Sequence, residues 1–436
     1  MRTRRIDHGG ASVLVTESDD VTVARGIRYA TAERFAAPQV VRADAGLIDA
    51  TARGPACPQL PSRLEFATGP VIGGLRMSEH CQVLSVTAPS GADRLPVMVW
   101  FHGGAYVSGG GESPKYDPHA LAAEGQVVVV TVTYRLGIFG YLNLHDRRTQ
   151  NLGLRDQLCA LRWVRDHIAA FGGDPARVTI FGQSAGGDSV LALMLCEESA
   201  GLFTRAVLHS APLGLRSDRS ELTAAMRDAA MTSLGGVPAL EADVAQLLDA
   251  QVTVAKAAQR FGRLGLMPFA PTVGMAPLPP AGEIPARLAD AASRIEILVG
   301  YTRDDGRPFV AMDPRGRRLR RLGPPGALLA ASVGRNLTKH VFGCPAIEFA
   351  DTWVRAGGRS ATFRVDWAPP QAPLGACHCI DLPLLLGSPQ AWADAPMLGP
   401  TPHPIDGTLG RRMRALWGGF ARDGVDALGP TPLTIG

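Results

Sequence analysis

Six short runs of near-continuous apolar, largely β-branched residues constrain this chain more than any other feature. They are VMVWF (Val97 to Phe101), VVVVTVTY (Val127 to Tyr134), VTIFG (Val178 to Gly182), AVLHS (Ala206 to Ser210), IEILVG (Ile295 to Gly300) and ATFRVDW (Ala361 to Trp367). A strand with one face in water alternates polar and apolar residues, so uninterrupted runs suit strands buried on both faces of a mostly parallel sheet. Between the second and third runs, Leu154, Leu158, Leu161, Val164 and Ile168 recur at helical spacing, and after the third Gly186 to Cys196 ends in VLALMLC, the pattern of a buried helix. Strands alternating with helices imply right-handed crossovers and an α/β architecture, a central sheet flanked by helices. The stretch from about Leu215 to Pro280 differs. Rich in Ala, Leu and charge, it predicts two or three amphipathic helices without a long strand. Lying between strands of the sheet, it is expected to form a helical cap over one end. No linker-like composition sets it apart, so residues 1–436 are read as a single domain.

Composition narrows the function classes. The chain has 436 residues, with 44 Lys+Arg against 40 Asp+Glu for a net charge of +4, and is 46% apolar. That apolar content excludes disorder by composition, and so small a charge over this length argues against a protein devoted to nucleic acid. No apolar stretch reaches the roughly 18 residues of a membrane span, and the basic start MRTRR is not followed by a signal-type apolar region. A cytoplasmic protein with no membrane partner is expected. Seven cysteines form an odd, sparse set. Cys377 and Cys379 flank His378, but zinc ligands are normally separated by two to four residues and need a fourth partner, so no metal or other cofactor is expected. Five arginines fall between Arg315 and Arg321. Their bland reading is a solvated face next to a loop, and their sharper one a rim that attracts anionic substrates.

The chemistry concentrates in RVTIFGQSAGGDSV. Gly182-Gln183-Ser184-Ala185-Gly186 fits G-x-S-x-G, with an apolar strand before it and a helix after it. A serine at so tight a turn has its hydroxyl exposed, and the helix N-terminus offers free N–H groups to developing negative charge. Independently, His102-Gly103-Gly104-Ala105-Tyr106 follows VMVWF. A small-residue loop at a strand end lets backbone amides approach a substrate oxygen, with His102 expected to orient the loop rather than to move a proton. A serine nucleophile needs a base, and in this arrangement an acid and then a histidine follow on loops after later strands. IEILVG is followed by Tyr301-Thr302-Arg303-Asp304-Asp305-Gly306, and ATFRVDW by APPQAPLGAC and His378. The other histidines fit less well. His8, His80, His119, His145, His167, His340 and His403 follow no late apolar strand, and His209 precedes the acid position. His378 is the expected base.

These residues resemble the type-B carboxylesterase family of α/β-hydrolases, which includes cholinesterases and bacterial p-nitrobenzyl esterases. The resemblance begins at GIRYA and ERF (Gly26 to Phe35) and runs through Cys57-Pro58-Gln59, SEHC, LPVMVWFHGGAY, TYRLGIFGYL and LGLRDQLCALRWVRDHIAAFGGDPARVTIFGQSAGG. It continues through GYTRDDG and GACHCIDLPLLLG to ALWGGFARDG, ending at Gly424. It implies an α/β-hydrolase fold with a cap, Ser184 as nucleophile, His378 as general base and Asp305 as the acid. The implied oxyanion donors are the amides of Gly104, Ala105 and Ala185. The implied activity is hydrolysis of small-molecule carboxylic esters of short to medium acyl length. Amide, carbamate or thioester hydrolysis by the same triad is the enzymatic alternative. A catalytically silent binding protein is the other, although such relatives typically lack the serine or histidine that this chain keeps.

Four departures from the family pattern matter. The acid is usually Glu in a DEG context. Asp305 is one methylene shorter, and a 1 Å misplacement can cost about 10²-fold, which leaves Asp304 as a rival and Asp381 as a remote one. Gln183 stands where many relatives carry Glu, removing a charge that would favour cationic substrates. Cysteines at positions like Cys57 and Cys81 pair in secreted relatives, and here they remain candidates only. The chain is also shorter than usual for the family, losing residues near the amino end, in the cap and after the last helix, which is expected to open the acyl or alcohol pocket.

Overall fold

The computed structural model describes residues 2–8, 11–41, 46–400 and 405–436. His403 lies outside them. In chain order, β1 (Arg2–His8), β2 (Ala11–Glu17) and β3 (Val21–Arg28) precede β4 (Val83–Pro89), β5 (Leu95–Phe101), β6 (Val128–Val132) and β7 (Gly173–Gln183). Next come β8 (Arg205–His209), β9 (Glu296–Thr302), β10 (Arg359–Val365) and β11 (Leu433–Ile435). Their spatial order is β1-β2-β3-β4-β6-β5-β7-β8-β9-β10-β11, and Leu47–Asp49 pairs beside β2 to complete a 12-stranded sheet. From β6 to β11 all neighbours are parallel, and each of these strands up to β10 carries one of the six apolar runs.

The other edge of the sheet is antiparallel, from β1 through β4 to β6. Continuous apolar runs could not reveal it, because a strand such as β2 alternates buried with partly buried positions and reads as ASVLVTE. The central sheet is therefore mixed, with its parallel half where the runs predict it. The strand order turns back on itself at β5, which lies between β6 and β7. In open α/β sheets ligands bind in the crevice at the carboxyl ends of strands flanking such a switch point. Both chemistry-bearing loops, after Phe101 and after Gln183, leave from there.

Helices cover the sheet as the spacing predicts. Helix α1 (Leu152–His167) buries Leu154, Leu158, Leu161 and Val164, and α2 (Ala185–Leu195) is buried along its whole length. Between β8 and β9, α3 (Ser220–Leu234) buries Leu222, Met226, Ala230 and Leu234. Helix α4 (Val244–Ala258) opens with a capping box between Asp243 and Gln246 and buries Leu247, Ala250 and Val254. Leu222, Met226, Leu247 and Val254 join the same buried cluster as Val97, Val99 and Ile180 of the sheet.

The arginine run forms a solvated face, carried on a short helix. Helix α5 (Pro314–Arg320) is N-capped by Asp313, and its arginines are exposed. Arg317, Arg320 and Arg321 border a depression with Phe66 and Leu374 that does not include Ser184. Cys57 and Cys81 are both buried and free. The neighbouring Cys57 thiol and burial push Cys81 well above the usual thiol range. No helix among the described residues is long and apolar enough to cross a membrane.

One buried ion pair fastens α1 to the segment after β6. Arg135 donates through Nε and Nη2 to Asp156 at 2.9 and 2.8 Å, and its backbone N–H donates to the same carboxylate at 3.0 Å. The side chains are 4% and 0% exposed. Removing one partner of such a pair strands the other charge away from water. Asp156→Ala is therefore expected to lose about 3–5 kcal/mol of unfolding free energy. Urea denaturation is the check, and a loss under about 1 kcal/mol would contradict a structural role for the pair.

Candidate active site

Strand β7 ends at Gln183 and α2 begins at Ala185, so the whole change of direction falls on Ser184. Its backbone sits at φ 58°, ψ −124°, a region a side chain rarely adopts and one that costs about 1–3 kcal/mol. Two backbone hydrogen bonds hold it: Ser184 N–H donates to the His209 carbonyl at 2.8 Å, and Asp188 N–H donates to the Ser184 carbonyl at 3.0 Å. The neighbouring glycines are required by space. A Cβ on Gly186 would lie 2.0 Å from the Phe101 carbonyl oxygen, and one on Gly182 would lie 2.4 Å from the Gly186 carbonyl carbon.

Opposite the serine, the loop after β5 turns through positive φ at Gly104, Ala105 and Tyr106 (116°, 53° and 60°). The turn is closed by Val107 and Ser108 N–H donating to the Gly104 carbonyl. Among the described residues, the N–H groups of Gly104, Ala105 and Ala185 have no acceptor of their own. His102 lies beneath the loop, its Nδ1 2.8 Å from the Gly103 carbonyl and its ring stacked on Tyr134 at 4.5 Å. Tyr134 Oη in turn donates to the His102 carbonyl at 2.7 Å.

The acid and base positions come together from separate loops. Asp305 Oδ1 accepts from His378 Nδ1 at 2.7 Å, while Oδ2 accepts from Thr302 N–H and Ser210 Oγ, each at 2.9 Å. Both side chains are buried, 0% and 1% exposed. Phe309 and Phe342 pack their rings against the imidazole at 5.1 and 5.2 Å. The rival carboxylates are engaged elsewhere. Asp304 pairs with Arg303 and Arg307 and accepts from Ala376 N–H, tying its loop to the histidine's. Asp381 pairs with His209 Nδ1 at 2.8 Å, whose Nε2 accepts from Trp417 Nε1.

Ser184 and His378 line one small cavity of about 50 Å³ with Gly104 and Ala105, but no hydrogen bond joins them among the described residues. His378 Nε2 instead meets Gln183 Nε2 at 3.1 Å. A carboxylate only accepts, so Nδ1 carries the proton shared with Asp305 and Nε2 offers a lone pair, to which the Gln183 amide donates. Gln183 Oε1 also faces Cys379 Sγ at 3.5 Å. Burial pushes the Cys377 and Cys379 thiols well above the usual range, which disfavours the thiolate form that a metal requires. No cluster of three or more His, Cys, Asp or Glu suited to a metal occurs among the described residues.

Motif spacing did not signal three of these contacts: Ser210 on Asp305, the aromatic pair on His378, and Gln183 on Nε2. Nor did it signal Arg63. This residue lines the cavity of Ser184 and His378 as well as a second one, about 40 Å³, formed by Ser184, Ala105, Leu215, Met267, Phe309 and Phe342 among others. No local pattern in PSRLEF marks it.

Burial lowers the His102 pKa from 6.5 to about 4. The unfolded chain therefore binds the extra proton first, and stability falls as pH drops from about 6.5 towards 4. The full contribution is on the order of 3 kcal/mol. His102→Gln, which has nothing to titrate there, is expected to flatten the plot of Tm against pH across that window. An unchanged slope would rule out His102 as its source.

Comparison with known proteins agrees with the fold. The model described as the carboxylesterase family matches residues 9–321. The chain is 43% identical over 412 residues to a probable N-octanoylanthranilate hydrolase, AqdA2, of Rhodococcus erythropolis, a match covering 93% of this chain and 90% of that one. It is 34% identical over 410 residues to the para-nitrobenzyl esterase of Bacillus subtilis, covering 86% and 81%. Among solved structures, the Geobacillus stearothermophilus carboxylesterase EST55 superposes with a TM-score of 0.79 at 30% identity, covering 99% of this chain and 93% of that one. A PNB esterase gives 0.75 at 31% identity, covering 97% and 91%. The chain thus belongs to the carboxylesterase family of α/β-hydrolases and is a carboxylic ester hydrolase.

Proposed function

We propose that the chain hydrolyses carboxylic esters of short to medium acyl length through an acyl-enzyme on Ser184. The observation that carries this is the buried 2.7 Å hydrogen bond from His378 to Asp305, at a cavity that also holds Ser184 and the unengaged amides of Gly104 and Ala105. Asp305 keeps the proton on Nδ1, leaving Nε2 free to act as base. The imidazole releases the Gln183 amide and takes the Ser184 proton as the hydroxyl oxygen attacks the ester carbonyl. Negative charge on the carbonyl oxygen falls to the amides of Gly104, Ala105 and Ala185. His378 then protonates the departing alcohol, and water repeats the sequence on the acyl-enzyme.

The walls support this acyl range. The 40 Å³ cavity beside Ser184 is lined mainly by apolar side chains, and its volume suits an acetyl group. Pro212, Leu215 and Met267 also line a neighbouring cavity of about 700 Å³, and an octanoyl chain extending past them would find room there. The similarity to the probable N-octanoylanthranilate hydrolase favours a second reading, cleavage of an amide to an aromatic amine by the same residues.

Wild type and Ser184→Ala, assayed on p-nitrophenyl acetate, butyrate and octanoate, test the proposal. Ser184→Ala is expected to lose at least about 10³-fold in kcat, and equal turnover by the two proteins would refute it. Asp305→Asn is expected to lose about 10³–10⁴-fold, the effect of the wrong imidazole tautomer. A larger loss in Asp304→Asn would transfer the acid role to Asp304.

A further inference from the structure

Arg63 is the one fully charged side chain on the walls of the two cavities that touch Ser184, and no carboxylate lines either of them. Its guanidinium has five N–H donors. One of its nitrogens, Nη2, donates to the Leu266 carbonyl at 2.8 Å, and among the described residues no acid pairs with it. Of the other cations near the site, Arg216 is matched by Asp188 at 2.8 Å, Arg303 and Arg307 by Asp304, and Arg219 donates to the Met267 and Pro268 carbonyls and lines neither of these cavities. Arg63 lines both cavities while its side chain remains exposed and open to a ligand. A guanidinium with no carboxylate partner and free N–H donors favours an anion that completes its fork of donors. Gln183 adds no opposing charge, because the position next to the nucleophile is an amide.

Which part of a substrate meets Arg63 depends on where the proton must go. The leaving group has to lie on the His378 side, since the imidazole protonates it, and the cavity containing His378 is lined by Arg63 too. The other cavity, with Leu215, Met267, Phe309 and Phe342 in its wall, suits a hydrocarbon acyl chain.

Resting on the serine-esterase proposal above, we infer that Arg63 is a specificity-determining residue that selects substrates carrying a carboxylate on the leaving group. The substrate class is then acyl derivatives of hydroxy- or amino-substituted carboxylic acids, rather than of neutral or cationic alcohols.

The test uses 2- and 3-carboxyphenyl butyrate, each against its own methyl ester, with wild type, Arg63→Met and Arg63→Lys. Following the ratio of kcat/KM for charged over blocked ester from one protein to the next cancels the intrinsic reactivities. The ratio is expected to fall by about ten- to a hundredfold in Arg63→Met for at least one isomer. The fall should lie mainly in KM, with partial recovery in Arg63→Lys. If Arg63 merely ties its loop to Leu266, Arg63→Met lowers charged and blocked esters alike and the ratio stays constant, which overturns the inference. Ser184→Ala separates the role of Arg63 from the esterase mechanism. Ser184-dependent turnover with a constant ratio refutes only the role of Arg63. Turnover of these esters that survives Ser184→Ala refutes the esterase mechanism, and the inference with it.

Discussion

The carboxyl ends of β5 and β7 approach so closely that backbone meets backbone, and the rest of the site depends on that approach. A Cβ on Gly186 would sit 2.0 Å from the Phe101 carbonyl oxygen, and one on Gly103 would sit 2.6 Å from the Gln183 carbonyl oxygen. Bare glycine backbone at these points lets the serine turn and the amide-bearing loop stand face to face across one small cavity. The strain at Ser184, at φ 58°, persists because parallel pairing on both sides of β7 fixes the strand before it and the wholly buried helix α2 fixes the chain after it. Relaxing the turn would withdraw the hydroxyl from the crevice and redirect the amides that now have no acceptor.

Three buried carboxylates surround the imidazole loop, and their partners separate their roles. Asp304 is neutralised by two arginines and braces the loop through Ala376. Asp381 is paired with His209 on the far side. Asp305 pairs with no arginine or lysine among the described residues and, besides the imidazole, is oriented by neutral donors, the Thr302 N–H and the Ser210 hydroxyl. An aspartate reaches His378 at ordinary hydrogen-bond distance in place of the longer glutamate because Asp305 and His378 lie on loops already joined by Asp304 and Ala376. Shortening the side chain by a methylene is thus compensated by backbone placement.

Electrostatics around the nucleophile depend on which charges are missing as much as on which are present. Gln183 carries an amide that can donate to the lone pair of His378 Nε2, so the resting imidazole has a partner other than Ser184. In the proposed mechanism its exchange from Gln183 to the serine is a change of hydrogen-bond donor, not of net charge. The arginine-dense helix α5, the obvious basic feature, borders a different depression. A lone arginine in a stretch without any motif supplies the positive charge at the site.

How far the sequence alone determines this protein divides along physical lines. Continuous apolar runs specify the parallel strands because burial on both faces leaves no room for polar alternation. The strand–GQSAGG–helix junction specifies the serine turn because there is no room for a Cβ at Gly182 or Gly186. The antiparallel edge was not legible, since one-sided strands such as ASVLVTE mix apolar with hydroxyl residues. The choice of Asp305 over Asp304, adjacent in the chain, belongs to the tertiary structure, which turns one side chain to the imidazole and the other to arginines. So do the contacts of Ser210, Phe309, Phe342 and Gln183 with Asp305 and His378, and the isolation of Arg63 from every acid among the described residues. Local sequence encodes what a segment can become by burial and backbone geometry. A charge acquires its role from neighbours distant in sequence, and the fold alone brings those neighbours within range.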